Sequence, residues 1–290
     1  MEAPPPGARF RFVQFEFAFP LGPADGRYMT RADPEAEPER VLVLRTSGAA
    51  PRPLVGRRRA RRSGGDDGPL PVPVVRATVI DAEPLETDAG AAEWLDRLRR
   101  DRDALEAEAG AAARDLNALL RAHRAAALDP SARDVAPSGA NVVRVGYGSG
   151  EQVADGHFAE AYELPLEDDT SKVRRRAAAL APDERLAAIL GGRDELLACE
   201  ELVLRARADL DAARPREAAL QARIALEALL AELGGDAVGD LAADREPVGR
   251  AANEALAGSP GTELSAAVAA AVGRMETALR RRRLGHVTNT

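Results

Sequence analysis

Residues 9–19 read RFRFVQFEFAF and hold five of the chain's six phenylalanines. In an extended strand successive side chains point to opposite faces, and here both parities are apolar: Phe10 and Phe12 on one, Val13, Phe15, Phe17 and Phe19 on the other. A strand with two apolar faces needs cover on both. It is expected at the centre of its sheet, or with a bulge near Phe12 and Val13 that swaps its faces. Either way it should seed the N-terminal core.

The segment GPADG at 22–26 ends in Asp25-Gly26, a pair suited to the positive φ angles of a tight hairpin turn, so a returning strand is expected through Tyr28 to Arg31. Further strands are expected at 40–46 (RVLVLRT) and 74–81 (VVRATVID), both rich in β-branched or aliphatic residues. Between them, about 47–71, lies a stretch of Pro, Gly and Ser carrying Arg57, Arg58, Arg59, Arg61 and Arg62; with little to bury, it is expected to be a disordered loop. From Asp88 to Leu128 the period becomes helical, with Trp94, Leu95, Leu98, Leu105, Leu116, Leu120 and His123 near one stripe, and Gly110 is the expected break. Strand character returns at 141–145, and a second hairpin is expected around Asp155-Gly156.

After Ser171 the pattern is helical, punctuated by Pro182, Gly191-Gly192, Pro215, Gly234-Gly235 and Gly258. The strongest pair is 194–213, with Leu196, Cys199, Val203, Ala206 and Leu210 in line, and 215–233, with Ala218, Ala222, Ala225, Leu226, Leu229 and Leu233. Pro215 suits a helix's first turn, so the two should form an antiparallel hairpin. Leu220, Ile224 and Leu230 fall off the stripe and need a second neighbour, either the helices near 248–256 and 264–279 or another chain. The expected fold class is α+β: an N-terminal mostly antiparallel sheet with one long or broken helix over residues 1–166, an all-α bundle over 167–284, and a tail at 285–290.

Of 290 residues 45% are hydrophobic, enough for a substantial core, and the net charge of −7 argues against a general attraction to nucleic acid. Lys172 is the only lysine among 40 basic residues, so arginine runs stand out less from their background than they would elsewhere. The lone Cys199 excludes an intramolecular disulfide and multi-cysteine metal sites, and fits a reducing cytoplasm. No run approaches the length of a membrane span, nor does the N-terminus read as a secretion signal. No membrane association is expected.

The motif with most chemical promise is VVRVGYGSG at 142–150, a strand followed by Gly146, Gly148 and Gly150, where bare backbone can approach a phosphate or nucleoside. It resembles the first motif of class I methyltransferases over about nine residues, which implies a cofactor at those glycines. It departs from that pattern by carrying Arg144 where an acid is usual and by lacking the alternating strands and helices that should follow. A hairpin shaped by glycine explains it better. The histidines His123, His157 and His286 carry no signature of a nucleophilic triad or metal site. The acidic pairs Asp66-Asp67, Glu167 to Asp169 and Glu200-Glu201 read as solvated polar groups, and Cys199 as an inert buried thiol. The runs at 57–62, 174–176 and 280–283 lack interleaved aromatics to stack bases. The pair 194–233 is similar in spacing to one tetratricopeptide unit, but a solenoid needs about three.

The sequence therefore reads as a non-catalytic interaction or assembly protein, with another protein or a second copy as partner, no cofactor and no metal. Leu220, Ile224 and Leu230 are its candidate contact residues. An enzyme or small-ligand site near Gly146, Gly148 and Gly150 is the alternative. Nucleic-acid binding through the loop of Arg57 to Arg62 is the second.

Overall fold

The computed structural model describes residues 8–31, 33–48, 73–165, 182–233 and 239–287. The chain divides into two units, 1–167 and 168–290, each with its own core. The fold is α+β, with an antiparallel sheet followed by helices. Of the segment expected to be a disordered loop, Ser47 belongs to a strand and Gly48 is described; the rest, with residues 57–62, lies outside the described residues, as does the run at 174–176.

In the first unit six strands form one antiparallel sheet, β1 (Phe10–Phe17), β2 (Gly26–Thr30), β3 (Arg40–Ser47), β4 (Val74–Asp81), β5 (Val142–Gly148) and β6 (Glu160–Glu163), in the order β2-β3-β4-β1-β5-β6. The phenylalanine strand is central, as its two apolar parities require. Its register runs without a bulge against β4 from Phe12↔Ile80 to Phe17↔Val75 and against β5 from Phe10↔Gly148 to Glu16↔Val142. On one face Val13, Phe15 and Phe17 pack with Leu42, Leu44, Val79, Val143 and Val145 under two helices, α1 (Asp88–Arg100) and α2 (Arg102–Ala127). On the other, Phe12 packs with Val41, Val43, Ile80, Val153 and Ala154, the last two from a 3-10 turn at Gly150–Asp155. Buried Gln14 ties that turn down, its Nε2 donating to Thr78 Oγ1 (3.0 Å) and to the carbonyl of Val153 (3.2 Å).

Three local expectations are corrected. Asp25-Gly26 does not turn β1 back on itself: β2 pairs with β3 at the far edge, because both sides of β1 are taken by β4 and β5. Asp25 instead accepts from the amide and hydroxyl of Thr46 at 2.8 and 2.7 Å. The hairpin of β5 and β6 is real, but Asp155-Gly156 ends the 3-10 turn, with Gly156 at φ 90°, and residues 151–154 are no strand. The helix break falls at Asp101, not Gly110, since Asp101 adopts extended backbone and its carboxylate caps α2 by accepting from the amide of Ala104 (3.1 Å).

The second unit holds five helices among the described residues: α3 (Pro182–Leu190), α4 (Ala198–Asp211), α5 (Pro215–Leu233), α6 (Arg245–Ala257) and α7 (Thr262–Val287). The last four share a core of small residues, with Ala206, Ala218, Ala222, Ala225, Ala251 and Ala271 buried beside Val203, Leu226, Leu229, Val268 and Met275. Alanine faces let helix axes approach closely, so backbone contact replaces side-chain bulk. α4 begins four residues later than expected, leaving Leu196 exposed ahead of it, and its joint to α5 spans residues 212–214. Helix α7 continues to Val287, through the first half of the stretch expected as a tail.

Candidate functional site

α3 opens with Pro182, whose missing amide hydrogen costs nothing in a first turn, followed by Asp183 and Glu184 at the positive end of the helix dipole. It stops at Gly191 and Gly192, the latter at φ 68°. Leu186 and Leu190 stand one turn apart on a common face, and they are 55% and 79% exposed. None of the described side chains of α3 is buried.

Its arginine faces the opposite way. Arg185 donates through Nε to Asp194 (3.0 Å) and through Nη2 to Glu200 (2.7 Å), while Glu200 also accepts from the amide of Leu197 (3.2 Å). Burial works against the Arg185 charge, but the two carboxylates outweigh it and raise its pKa. Asp194 is held below the usual carboxylate range by the Arg185 hydrogen bond and by the amide of Glu195. Glu200, expected on a solvated face, is only 2% exposed; an arginine fifteen residues earlier draws it inward. The helix is thus tethered by its cation and offers its leucines to solvent. Such a face can pair with a helix or fill an apolar groove.

Leu220 and Leu230 lie half-buried against the bundle core, whereas Ile224 is exposed on the outer face of α5. The three are therefore not equivalent. Cys199 is buried beside Glu232, which accepts from its backbone amide (2.9 Å); burial first, then Glu232, pushes the thiol up to about 12, so no reactive thiolate forms near neutral pH.

The glycines of 146–150 serve the sheet. A Cβ on Gly146 would stand 2.4 Å from the carbonyl oxygen of Glu160, and one on Gly148 2.5 Å from Val153 Cγ1 and 3.1 Å from Phe158 Cα. The space a phosphate would need there is filled by the chain itself. Gly150, at φ 67°, starts the 3-10 turn. His157 is exposed, with its amide bonded to Gln152; His123 is half-buried against Gly22; the side chain of His286 lies outside the described residues. Asp66-Asp67 and Glu167 to Asp169 also lie outside them.

Between the sheet and α2, Arg11 pairs with Asp81 (2.6 Å), and Arg40 bridges Asp81 (3.0 Å) and Asp115 (3.2 Å) beside a cavity of about 30 Å³. Burial raises the pKa of Asp115 despite Arg40. Arg11 Nε is buried without a protein acceptor, and the cavity has room for a water but not a substrate. Among the described residues no cluster of His, Cys, Asp and Glu could hold a metal, and no helix is long and apolar enough to cross a membrane.

The sequence places a helix between Pro182 and Gly191 but does not single out its leucines as a site. The helix's signal was present, with apolar residues at 186, 189 and 190 after Pro182 and an acidic first turn, but period alone does not say which face is open. No family model, curated protein or solved structure matches the chain.

Proposed function

We propose that this chain is an assembly protein that associates with a second copy through the open face of α3, with Leu186 and Leu190 as anchors. The observation that carries this reading is the inverted orientation of the helix, arginine inward and leucines outward. The leucines of a short helix in that orientation gain little from folding alone and gain apolar burial on pairing. Its ends favour a like partner: Asp183 and Glu184 are exposed at one end, exposed Arg193 follows the other, and none of the three has an ion pair among the described residues. Two copies related by a twofold axis perpendicular to the helix would run antiparallel and set those acids against Arg193, with exposed Ala187 at the crossing.

Sedimentation velocity of the whole chain tests this. A concentration-dependent dimer is expected, with Leu186→Glu/Leu190→Glu monomeric and unchanged in melting temperature. Arg193→Glu should weaken the dimer about tenfold, and Asp183→Arg/Glu184→Arg in the same chain should restore it. A wild-type monomer at about 100 μM sinks self-association. A large fall in melting temperature for the leucine pair would show that the face packs within the chain.

A further inference from the structure

The first unit contains a groove of about 530 Å³, within the range of small-molecule sites. Its two walls are residues 18–22, a bent segment after β1, and residues 132–136 after α2. Both are held by α2. Buried Asn117 makes a pair of hydrogen bonds with Val135, donating from Nδ2 to the carbonyl (2.8 Å) and accepting the amide at Oδ1 (2.7 Å). Arg124 donates to the carbonyl of Ala132 (3.2 Å). On the opposite wall Gly22, at φ 107°, lies so near His123 that a Cβ there would stand 3.2 Å from its ring. A groove fixed by such contacts loses little entropy when a ligand enters.

Its chemistry is uneven. Leu21, Pro20 and Val135 supply apolar surface, and Phe19, tilted on Phe17 with centroids 5.3 Å apart, leaves 44% of its area open. Both acids are engaged. Asp129 accepts from the hydroxyl and amide of Ser131, which hold it below the usual carboxylate range with a smaller push from His123. Asp134 faces Arg121 and Arg124 at 3.8 and 4.0 Å. Arg133 also lines the groove, is exposed, and has no ion pair among the described residues.

We infer that the groove is a binding site for a small monocarboxylate with a flat apolar body, its ring on Phe19 and its carboxylate on the guanidinium of Arg133. An Arg fork matches a carboxylate's two oxygens, and an aromatic face suits a planar ligand. A cation would meet carboxylates already occupied by donors, and an uncharged ligand would leave Arg133 unused. This site is independent of α3 and of the self-association proposed above.

Calorimetric titration of the whole chain with 4-phenylbutyrate, 4-phenylbutyramide and 4-phenylbutylamine tests it. The acid should bind saturably, with the amide and amine at least about tenfold weaker. Arg133→Gln should bring the acid to the level of the amide, while Phe19→Ala should weaken acid and amide by the same factor. Arg133 is exposed, so Arg133→Gln should leave circular dichroism and melting unchanged; Phe19→Ala loses the ring contact with Phe17 and should lower the melting midpoint while circular dichroism stays the same. Equal affinity for acid and amine, acid binding indifferent to Arg133→Gln, or no saturable binding of any of the three up to about 10 mM overturns the assignment.

Discussion

Leu128, at the C-terminus of α2, holds a left-handed conformation at φ 52° while 89% of its side chain is exposed. The conformation costs a branched residue about 1 kcal/mol or more, and here no packing repays it. Leu128→Gly is therefore expected to raise stability by about 0.5–1 kcal/mol, after the added entropy of glycine in the unfolded chain, as an upward shift in thermal midpoint. The glycines of β5 predict the opposite sign. Gly148→Ala should cost about 1–3 kcal/mol, because its Cβ meets a valine methyl that can shift only slightly; Gly146→Ala should cost more, since the obstacles are the backbone of Glu160 and Ala161. Urea melts of the two variants check both magnitude and order. Glu16 gives a pH signature. Burial raises its pKa, but the hydrogen bonds and charges of Arg144 and Arg76 outweigh burial and hold it below the usual range. A depressed folded pKa means stability present above the unfolded value and lost as pH falls through the folded one. The stability gap between wild type and Glu16→Gln should thus be full near about pH 7 and close towards about pH 3, read by urea melts at each pH.

At the level of elements, α3 hangs on a single arginine. Arg185→Met takes the arginine away from buried Glu200 and from Asp194 and should cost about 3 kcal/mol, with α3 gaining fast hydrogen exchange while α4 to α7 stay protected. Uniform loss of protection would mean that α3 is integral to the bundle core. Strands were legible where apolar period met β-branching, as in β3 and β4, and the centrality of β1 followed from its two apolar parities. Their order was not legible: Asp25-Gly26 carries the turn chemistry of a hairpin, yet the strand after it pairs elsewhere, because sheet order is decided by competition for β1 over long sequence distances. Gly110 misled for a related reason. Glycine inside a long helix costs only about 1 kcal/mol, whereas an extended Asp101 that caps the next helix ends one outright. Of the candidate site, the helix itself was readable, but its orientation depends on Arg185 meeting Glu200, a contact no periodicity encodes.

For the whole molecule, the division at residue 167 predicts that fragments 1–167 and 168–290 each unfold cooperatively, the second with a helical circular-dichroism spectrum, since its described residues contain helices and no strand. A fragment without a sigmoidal melt would show that its unit needs the other. Within the first unit, the position of β1 has a consequence for synthesis. The strand richest in phenylalanine leaves the ribosome before the other five of its sheet, but one neighbour, β4, begins at Val74 and the other, β5, at Val142. One edge stays open until β5 has been translated and one face until the turn at Gly150–Asp155 has followed it, at about 5–20 residues per second. The most aggregation-prone segment is the longest unpaired, so codon usage upstream of β5, or a chaperone that holds extended aromatic sequence, should govern the yield of soluble chain more than any change in the stability of the finished fold.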